Sequence, residues 1–315
     1  MPIVLREQEQ LIAAKLEVTY GVDPGLAGAN AIMVQDITVN VLEGDVAQRN
    51  NYTGYLGNQG SVRLNTWCSV DFAFELSGSG DVDVPPYFAA LYKAAGHSEL
   101  ITATTDVGYS LSDDDQDSNT IWYMKGEHKH AVRGLRGTLS LEAGTKQLTR
   151  LRFRGAGLYT APVKVVGGLT GVDFSTVLKP LPWNKETVPV LTLHGVTLNA
   201  ATFSFEQGQP PEYLALTGQE EVILPARNST ASIKIREDEL SVADWYEISR
   251  AGTTGALAMQ HGIDVTHAGR IFEFNAPNVD VQTVAGSFEQ GISYLTLTCG
   301  IIPTAKGNDY SFTHR

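Results

Sequence analysis

An internal repeat limits the folds open to this chain more than any other feature. The segment LEAGTKQLT begins at Leu141, and the similar segment FEQGISYLT begins 147 positions later at Phe288 (288 − 141). Four positions are identical: Glu142, Gly144, Leu148 and Thr149 match Glu289, Gly291, Leu295 and Thr296. Self-similarity at a fixed spacing indicates a duplicated structural unit.

Further similar segments occur in the same order in both halves of the chain. DITVN (Asp36 to Asn40) corresponds to GVTLN (Gly195 to Asn199), and SVDFAFEL (Ser69 to Leu76) corresponds to SIKIREDEL (Ser232 to Leu240). The most helix-like stretch of each half follows. Because the spacing drifts between pairs, the loops must differ in length within one shared plan.

Length and composition favour two mainly β domains. A chain of 315 residues can form two domains that each bury a core. Hydrophobic residues at 43% and charged residues at 18% are typical of globular proteins, and 31 Gly with many Val and Thr favour turn-rich β structure. We predict domains over residues 1–160 and 189–315, a linker rich in Gly and Pro over 161–188, and a polar C-terminal arm.

Each predicted domain contains one long loop and one helix. The loop over 43–61 is rich in Gly and Asn, and its counterpart is Glu206 to Glu220. Loops of this length are usually functional or disordered, and two at equivalent places suggest a shared role in assembly. The helices are predicted over about 85–95, beginning with Pro85-Pro86, and about 241–251, with Ser241 as N-cap.

No pattern predicts a catalytic, cofactor or metal site. The acidic loop at 110–119 lacks the Gly and Glu positions of an EF-hand and is predicted to be solvated. His128 and His130 share one face of a predicted strand without a third ligand. Nucleotide-binding, hydrolase and zinc-protease motifs are absent, and Cys68 and Cys299 are expected to be buried free thiols. We predict that the protein is not an enzyme and needs no cofactor.

The charge argues against a nucleic-acid-binding protein. The net charge is −12, with 35 Asp and Glu against 23 Lys and Arg, and binding to a phosphate backbone needs the opposite balance. No apolar run is long enough to span a membrane, and the first residues lack a signal-peptide core. These features predict a protein that is made in the cytoplasm and does not bind membranes.

A stretch from Lys15 to Gly57 carries a set of distinctive motifs. They are E-x-T-Y-G-x-D-P from Glu17, an aspartate-led strand, LEGD from Leu42, an arginine at Arg49 and YLG from Tyr55. Together they resemble the major tail tube proteins of long-tailed bacteriophages. The resemblance implies two tandem β-sandwich, tail-tube-like domains, each with one flanking α-helix.

The resemblance also implies a structural role in the virion tail. Rings of such domains stack into a hollow tube through which DNA is ejected, and their inner sheets join into one continuous cylinder of strands. The partners would be other copies of the chain, the terminator, tape measure and distal tail proteins, and DNA in passage, with assembly in the cytoplasm of the host bacterium. The loop over 43–61 would reach the adjacent ring, with Glu43, Asp45, Arg49, Tyr52, Tyr55 and Leu56 as candidate contacts.

The duplication changes the expected stoichiometry. The simplest family members have one domain per chain and six chains per ring, so two domains per chain predict a trimeric ring with pseudo-six-fold symmetry. Two alternatives stay open. The chain could be another ring component, such as a terminator, a baseplate ring or the tube of a contractile injection machine, or it could be a carbohydrate-binding β-sandwich module.

Overall fold

The chain folds mainly into antiparallel β-strands, as the sequence predicts. The computed structural model describes residues 5–114, 116–264 and 266–315, and 22 strands and two α-helices lie within them. The strands up to residue 158 are β1 (Gln10–Leu16), β2 (Ala31–Ile32), β3 (Gln35–Glu43), β4 (Val46–Gln48), β5 (Ser61–Arg63), β6 (Trp67–Glu75), β7 (His97–Thr102), β8 (Asp106–Leu111), β9 (Asn119–Lys125), β10 (His128–Gly144) and β11 (Arg150–Leu158). The later strands are β12 (Val163–Lys164), β13 (Val190–Leu193), β14 (Val196–Thr197), β15 (Ala200–Glu206), β16 (Glu212–Leu216), β17 (Gln219–Ile223), β18 (Thr230–Arg236), β19 (Thr254–His261), β20 (Phe272–Glu289), β21 (Ile292–Ile301) and β22 (Ser311–His314). The helices are α1 (Ala89–Ala94) and α2 (Trp245–Ala251).

One antiparallel sheet runs through both halves of the chain. Its strand order is β3-β6-β11-β10-β15-β18-β21-β20. The first four strands come from the first half of the sequence and the last four from the second half. The two blocks have the same internal order. In the second block β15, β18, β21 and β20 take the positions that β3, β6, β11 and β10, respectively, have in the first block.

Two further sheets pack against this long sheet. One has the order β2-β1-β9-β10-β12, and the other has the order β14-β13-β19-β20-β22-β8-β7. The long strands β10 and β20 each belong to two sheets, because each is bent at a bulge. The hairpin β7–β8 follows α1 in the sequence, yet it joins the sheet of the second half through β22.

The bulges of β10 and β20 lie at matching positions. The β10–β11 pairing shifts register before Arg136, and the β20–β21 pairing shifts before Thr283. These residues are 147 positions apart (283 − 136), which is also the spacing of Glu142 and Glu289. A β-bulge inserts one residue and bends its strand, so the same bend recurs at the same place in both blocks.

Alternating burial along the strands builds a continuous core. In β18 the residues Ala231, Ile233 and Ile235 are buried, while their neighbours in sequence face outward. Buried side chains from all three sheets form one hydrophobic cluster. Successive side chains of a strand point to opposite faces, so every second residue enters the core.

A cluster of buried aromatic side chains ties the C-terminus to α1. Tyr92 of α1 contacts Phe312 of β22, with ring centroids 5.3 Å apart, and its hydroxyl lies 3.0 Å from Nε2 of His314. His97 donates from Nδ1 to the carbonyl of Tyr92 and accepts at Nε2 from the hydroxyl of Tyr310, both at 3.0 Å. The C-terminal arm predicted from the polar tail is therefore wrong for residues 311–314, which form a packed strand.

Both helices are present, as predicted, but both are shorter than predicted. α1 begins at Ala89, because the residues after Pro85-Pro86 form a turn in which Ala89 N–H donates to Pro86 O. α2 begins at Trp245, and its N-cap is Asp244, whose side chain accepts from Glu247 N–H at 2.9 Å. Ser241 lies outside the helix. None of the helices in the described residues is long and apolar enough to cross a membrane.

The two long loops contain hairpins. Strands β4 and β5 pair within and beside the predicted loop 43–61, and β16 and β17 pair within and just beyond the predicted loop Glu206 to Glu220. Strands as short as these carry too little alternation to be predicted from sequence. We call residues 43–64, which contain β4, β5 and their turn, the first ribbon, and residues 207–224, which contain β16, β17 and their turn, the second ribbon.

Other segments also differ from the sequence-based expectations. The acidic loop 110–119 is shorter than predicted, because its ends belong to β8 and β9, and Asp115 lies outside the described residues. The predicted linker 161–188 contains β12 and the buried side chain of Trp183. Residues 1–4 of the predicted N-terminal domain and Val265 also lie outside the described residues.

One of the sequence correspondences is wrong. Asp36–Asn40 lies in β3, next to β6, whereas Val196–Thr197 forms β14, next to β13. The counterpart of β3 is β15, which starts at Ala200 and pairs with β18. The division into two domains stays a prediction.

Candidate assembly surfaces

The long sheet ends in two strands that each have one unpaired edge. Within the described residues, β3 pairs only with β6. The C-terminal part of β20, from Val281 to Glu289, pairs only with β21. Unpaired strand edges present free N–H and C=O groups, which makes them templates for pairing with another chain.

In the middle of the long sheet, the strands that correspond to β20 and β3 pair with each other. Residues Ser140–Gly144 of β10 pair with residues Thr202–Glu206 of β15, and we call this pairing the internal joint. It connects the last strand of the first block to the first strand of the second block. β20 and β3 are the corresponding last and first strands, so the free edges at the two ends match the two sides of the internal joint.

Phe288 is the clearest sign that the free edge of β20 is incomplete. Its side chain is 80% exposed, whereas Leu141, 147 positions earlier (288 − 141), is 0% exposed in the internal joint. Phe205 of β15 covers the internal joint on the core side. In β3, Val39 and Val41 are only partly buried against the core. The difference in burial between Phe288 and Leu141 makes the free edge of β20 a candidate contact surface.

The first ribbon carries all six residues predicted to contact an adjacent ring. At its base, Glu43 accepts hydrogen bonds from Asn40 Nδ2 at 2.8 Å and Ser69 Oγ at 2.5 Å. Asp45 donates from its backbone N–H to Asn65 Oδ1 at 2.6 Å and accepts from Asn65 Nδ2 at 2.8 Å. These two carboxylates hold the ribbon in place, so their contacts are internal.

The other four residues lie toward the tip of the first ribbon. Tyr52, Tyr55 and Leu56 are among the most exposed large side chains of the described residues. The backbone N–H of Arg49 donates to Gly60 O at 3.1 Å, and no ion pair of its side chain is found in the described part of the chain. The tip therefore offers one cation and three apolar groups to a partner. Its contact with another ring stays a prediction.

The second ribbon lies against the first half of the chain. Val222 donates from its N–H to the hydroxyl of Tyr20 at 2.6 Å, and its carbonyl accepts from Arg136 Nη1 at 2.6 Å. The rings of Tyr213 and Trp67 stack with centroids 6.3 Å apart. Burial raises the pKa of Tyr20, so its hydroxyl stays neutral and able to hydrogen bond. The two ribbons therefore differ. The second ribbon is covered by the first half of the chain, whereas the tip of the first ribbon is exposed.

The face of the long sheet that points away from the core carries paired charges. Arg152 donates to both carboxylate oxygens of Asp71, at 2.6 and 2.9 Å, and this hydrogen bonding raises its pKa. Arg154 lies 3.6 Å from Asp71 and 3.9 Å from Glu206 across the internal joint. Arg150 lies between Asp36 and Glu142. We call this surface the charged face. The positive charge of each of its three arginines on β11 is paired with at least one carboxylate.

An ion-paired arginine connects the acidic loop to the second half. Arg227 donates to both oxygens of Asp309, at 2.7 and 2.8 Å, and to Asp113 at 2.5 Å. The hydrogen bond from Arg227 lowers the pKa of Asp113. The acidic loop is thus tied down at Asp113, although the sequence predicted a solvated loop. No sequence signal identifies this partner, because Arg227 is 114 positions away (227 − 113).

A metal-binding cluster and a low-pKa thiol are both missing from the part of the chain that the structure describes. No group of three or more His, Cys, Asp or Glu side chains in the described residues could hold a metal ion. Cys68 and Cys299 are buried free thiols, and burial raises the pKa of each to about 12. The notable surfaces of the described chain are therefore its strand edges and ribbons.

Comparison with known protein families gives a match over nearly the whole chain. Residues 8–300 match the family model described as "Phage tail tube protein". This match spans both blocks of the long sheet and both ribbons. The search of curated proteins gave no significant match.

Proposed function

The chain belongs to the phage tail tube protein family, and we propose that it polymerises as stacked rings into the hollow tail tube through which phage DNA is ejected. The observation that carries this proposal is the pair of free edges on β3 and β20. They correspond to the two sides of the internal joint, so a second copy can add to either end of the sheet in the same way.

Repetition of the internal joint between chains would close a ring. β20 of one chain would take the role of β10, and β3 of the next chain would take the role of β15. Phe288 would then occupy the position of Leu141 and become buried. Each chain supplies two blocks of four strands, so three chains supply six blocks. We propose a trimeric ring with pseudo-six-fold symmetry, in which each block acts as one tail-tube domain.

The charged face would line the channel of such a ring. Its arginines on β11 are held by Asp71, Glu142 and Glu206, among other carboxylates. A guanidinium that is already paired with a carboxylate has little net attraction for a phosphate, and the chain as a whole carries a net charge of −12. DNA could therefore move through the channel without being trapped. This role is structural and needs no catalytic group or cofactor.

We propose that the tip of the first ribbon makes the contact between stacked rings. Arg49 and the exposed Tyr52, Tyr55 and Leu56 would contact the adjacent ring, whose chains each carry a net charge of −12. The ends of the tube would bind other tail proteins, such as the terminator and distal tail proteins, and the channel would hold the tape measure protein before ejection. Assembly would take place in the cytoplasm of the host bacterium.

Electron microscopy of the purified chain tests this function. The proposal predicts long hollow tubes with a regular axial repeat. Single rings that do not elongate would favour the alternative that the chain is a terminator or baseplate ring. A protein that remains monomeric at high concentration would contradict both functions.

Replacement of Arg49 by Glu tests the contact between rings. We expect at least a tenfold loss of tube length or assembly rate, because the new carboxylate would face an acidic neighbour. The unfolding midpoint should be unchanged, since no ion pair of Arg49 is found in the described residues. An Arg49→Lys chain, which keeps the charge, is the matched control. Normal tubes from the Glu variant would remove Arg49 from the contact.

A further inference from the structure

The two ribbons share a short sequence pattern but differ in burial. Val222-Ile223-Leu224 follows the turn of the second ribbon, and Val62-Arg63-Leu64 lies 160 positions earlier in the first ribbon (222 − 62). Val222 and Leu224 are 0% and 7% exposed, whereas Val62 and Leu64 are 52% and 66% exposed. The same apolar pair is therefore covered in one ribbon and uncovered in the other.

The surface that covers the second ribbon includes the end of α1. Leu224 Cδ1 lies 3.3 Å from the position that a Cβ would have at Gly96, the residue that ends the turn after α1. Ala95, just before this glycine, is fully buried, and its carbonyl accepts from Gln207 Nε2 at 2.7 Å. The second ribbon thus packs where α1 ends.

The corresponding end of α2 has no cover in the described residues. Gly252 ends α2 in a left-handed conformation with φ of 63°, as Gly96 follows α1 with φ of 80°. Ala251, the counterpart of Ala95, is exposed, and so are Tyr246 within α2 and Val242 before the helix. α2 packs on β20, as α1 packs on β10, so this open surface lies beside the free edge of the long sheet.

The chain connectivity determines which ribbon would reach this surface. The second ribbon follows β15, the strand that pairs with β10 in the internal joint. The first ribbon follows β3, the strand that would pair with β20 of a neighbouring chain. A joint that repeats the internal one therefore carries the first ribbon over the neighbour's α2.

We propose that the first ribbon of each chain lies on the end of α2 of the neighbouring chain in the same ring, with Val62 and Leu64 in the roles of Val222 and Leu224. This inference rests on the proposed ring. It makes a second copy of this chain the partner of Val62 and Leu64, which form the base of the first ribbon. It leaves the tip, with Arg49 and Tyr55, free to contact the next ring. Each ring is then held by two contacts at every boundary, one between strand edges and one between ribbon and helix.

Disulfide crosslinking of assembled tubes tests the proposal. The double variant Leu64→Cys with Ala251→Cys is assembled, oxidised and separated on a non-reducing gel. We expect more than half of the chains in covalent species that stop at the size of one ring, which is three chains for the proposed stoichiometry. Cys68 and Cys299 are buried, and the single variants give the background. Covalent species that stop at six chains would support the ribbon contact and contradict only the proposal of three chains per ring.

Two results would overturn the inference while leaving the proposed function intact. A ladder that continues far beyond one ring would place the ribbon base on the adjacent ring. Tubes without interchain crosslinks would show that the ribbon base is free. If the natural chain forms no tubes, the proposed function fails, and this inference fails with it.

A second pair of variants avoids dependence on cysteine chemistry. Leu64→Asp should slow tube assembly at least tenfold, because it places a charge in an apolar contact. Leu216→Asp changes a leucine of similar exposure, 57%, on the second ribbon, and should assemble at the natural rate. Equal assembly of the two variants would contradict the docking of the first ribbon.

Discussion

A Phe288→Lys chain is expected to fold normally and to remain a monomer under conditions in which the natural chain forms tubes. Phe288 is exposed on the free edge of β20, so its replacement should change the free energy of unfolding by less than about 0.5 kcal/mol. In the proposed joint it would be buried like Leu141. Loss of its apolar burial removes about 2 kcal/mol per joint, and burial of an unpaired ammonium group opposes pairing further.

Analytical ultracentrifugation and circular dichroism would measure this effect. The natural chain should sediment as large assemblies, and the Lys variant should sediment at the monomer position with an unchanged spectrum. Phe288→Leu is the matched control, because Leu is the residue at the corresponding position of the internal joint, and it should assemble. Tubes from the Lys variant in normal yield would contradict pairing through this edge of β20.

The second large effect is a loss of stability in mild acid. Burial lowers the pKa of His97 to about 4 and that of His314 to about 3. In the unfolded chain both histidines have a pKa near 6.5, so the unfolded state binds more protons below this pH. The free energy of unfolding should therefore be highest above about pH 6.5 and should fall as the pH decreases toward 4. The expected slope is about 1.4 kcal/mol per pH unit for each histidine, or about 3 kcal/mol for the pair.

Urea unfolding between pH 7 and pH 5 would measure this slope, best in the Phe288→Lys background, where assembly does not interfere. His97→Gln should be less stable at pH 7, because it loses the bonds to Tyr92 and Tyr310, but its stability should depend less steeply on pH. An unchanged slope in His97→Gln would show that this histidine does not control acid stability.

Local patterns in the sequence were sufficient to predict the fold class and the place of both helices. Alternation in segments such as Ser232–Leu240 and the glycines after α1 and α2 are short-range signals, and the mainly β fold with two helices is confirmed. The resemblance of Lys15–Gly57 to tail tube proteins is also confirmed by the family match. These signals are carried by neighbouring residues and need no knowledge of distant contacts.

Long-range pairing was not predictable from the same patterns. GVTLN looks like a partner of DITVN, but a strand is defined by its neighbours, and Val196–Thr197 pairs with β13. The tail SFTH alternates apolar and polar residues, which was the one available signal that β22 is a packed strand. Folding brings Asp113 next to Arg227 and buries Val222 against distant residues. These contacts depend on the fold as a whole, so they could not be predicted.

The number of chains in one ring tests the central claim most directly. A reconstruction of the tube by electron cryomicroscopy, without imposed symmetry, would count them. Three chains per ring, with three-fold symmetry and six similar blocks around the channel, is the predicted result. Six complete chains in each ring would contradict the proposal that both blocks of the long sheet line the tube.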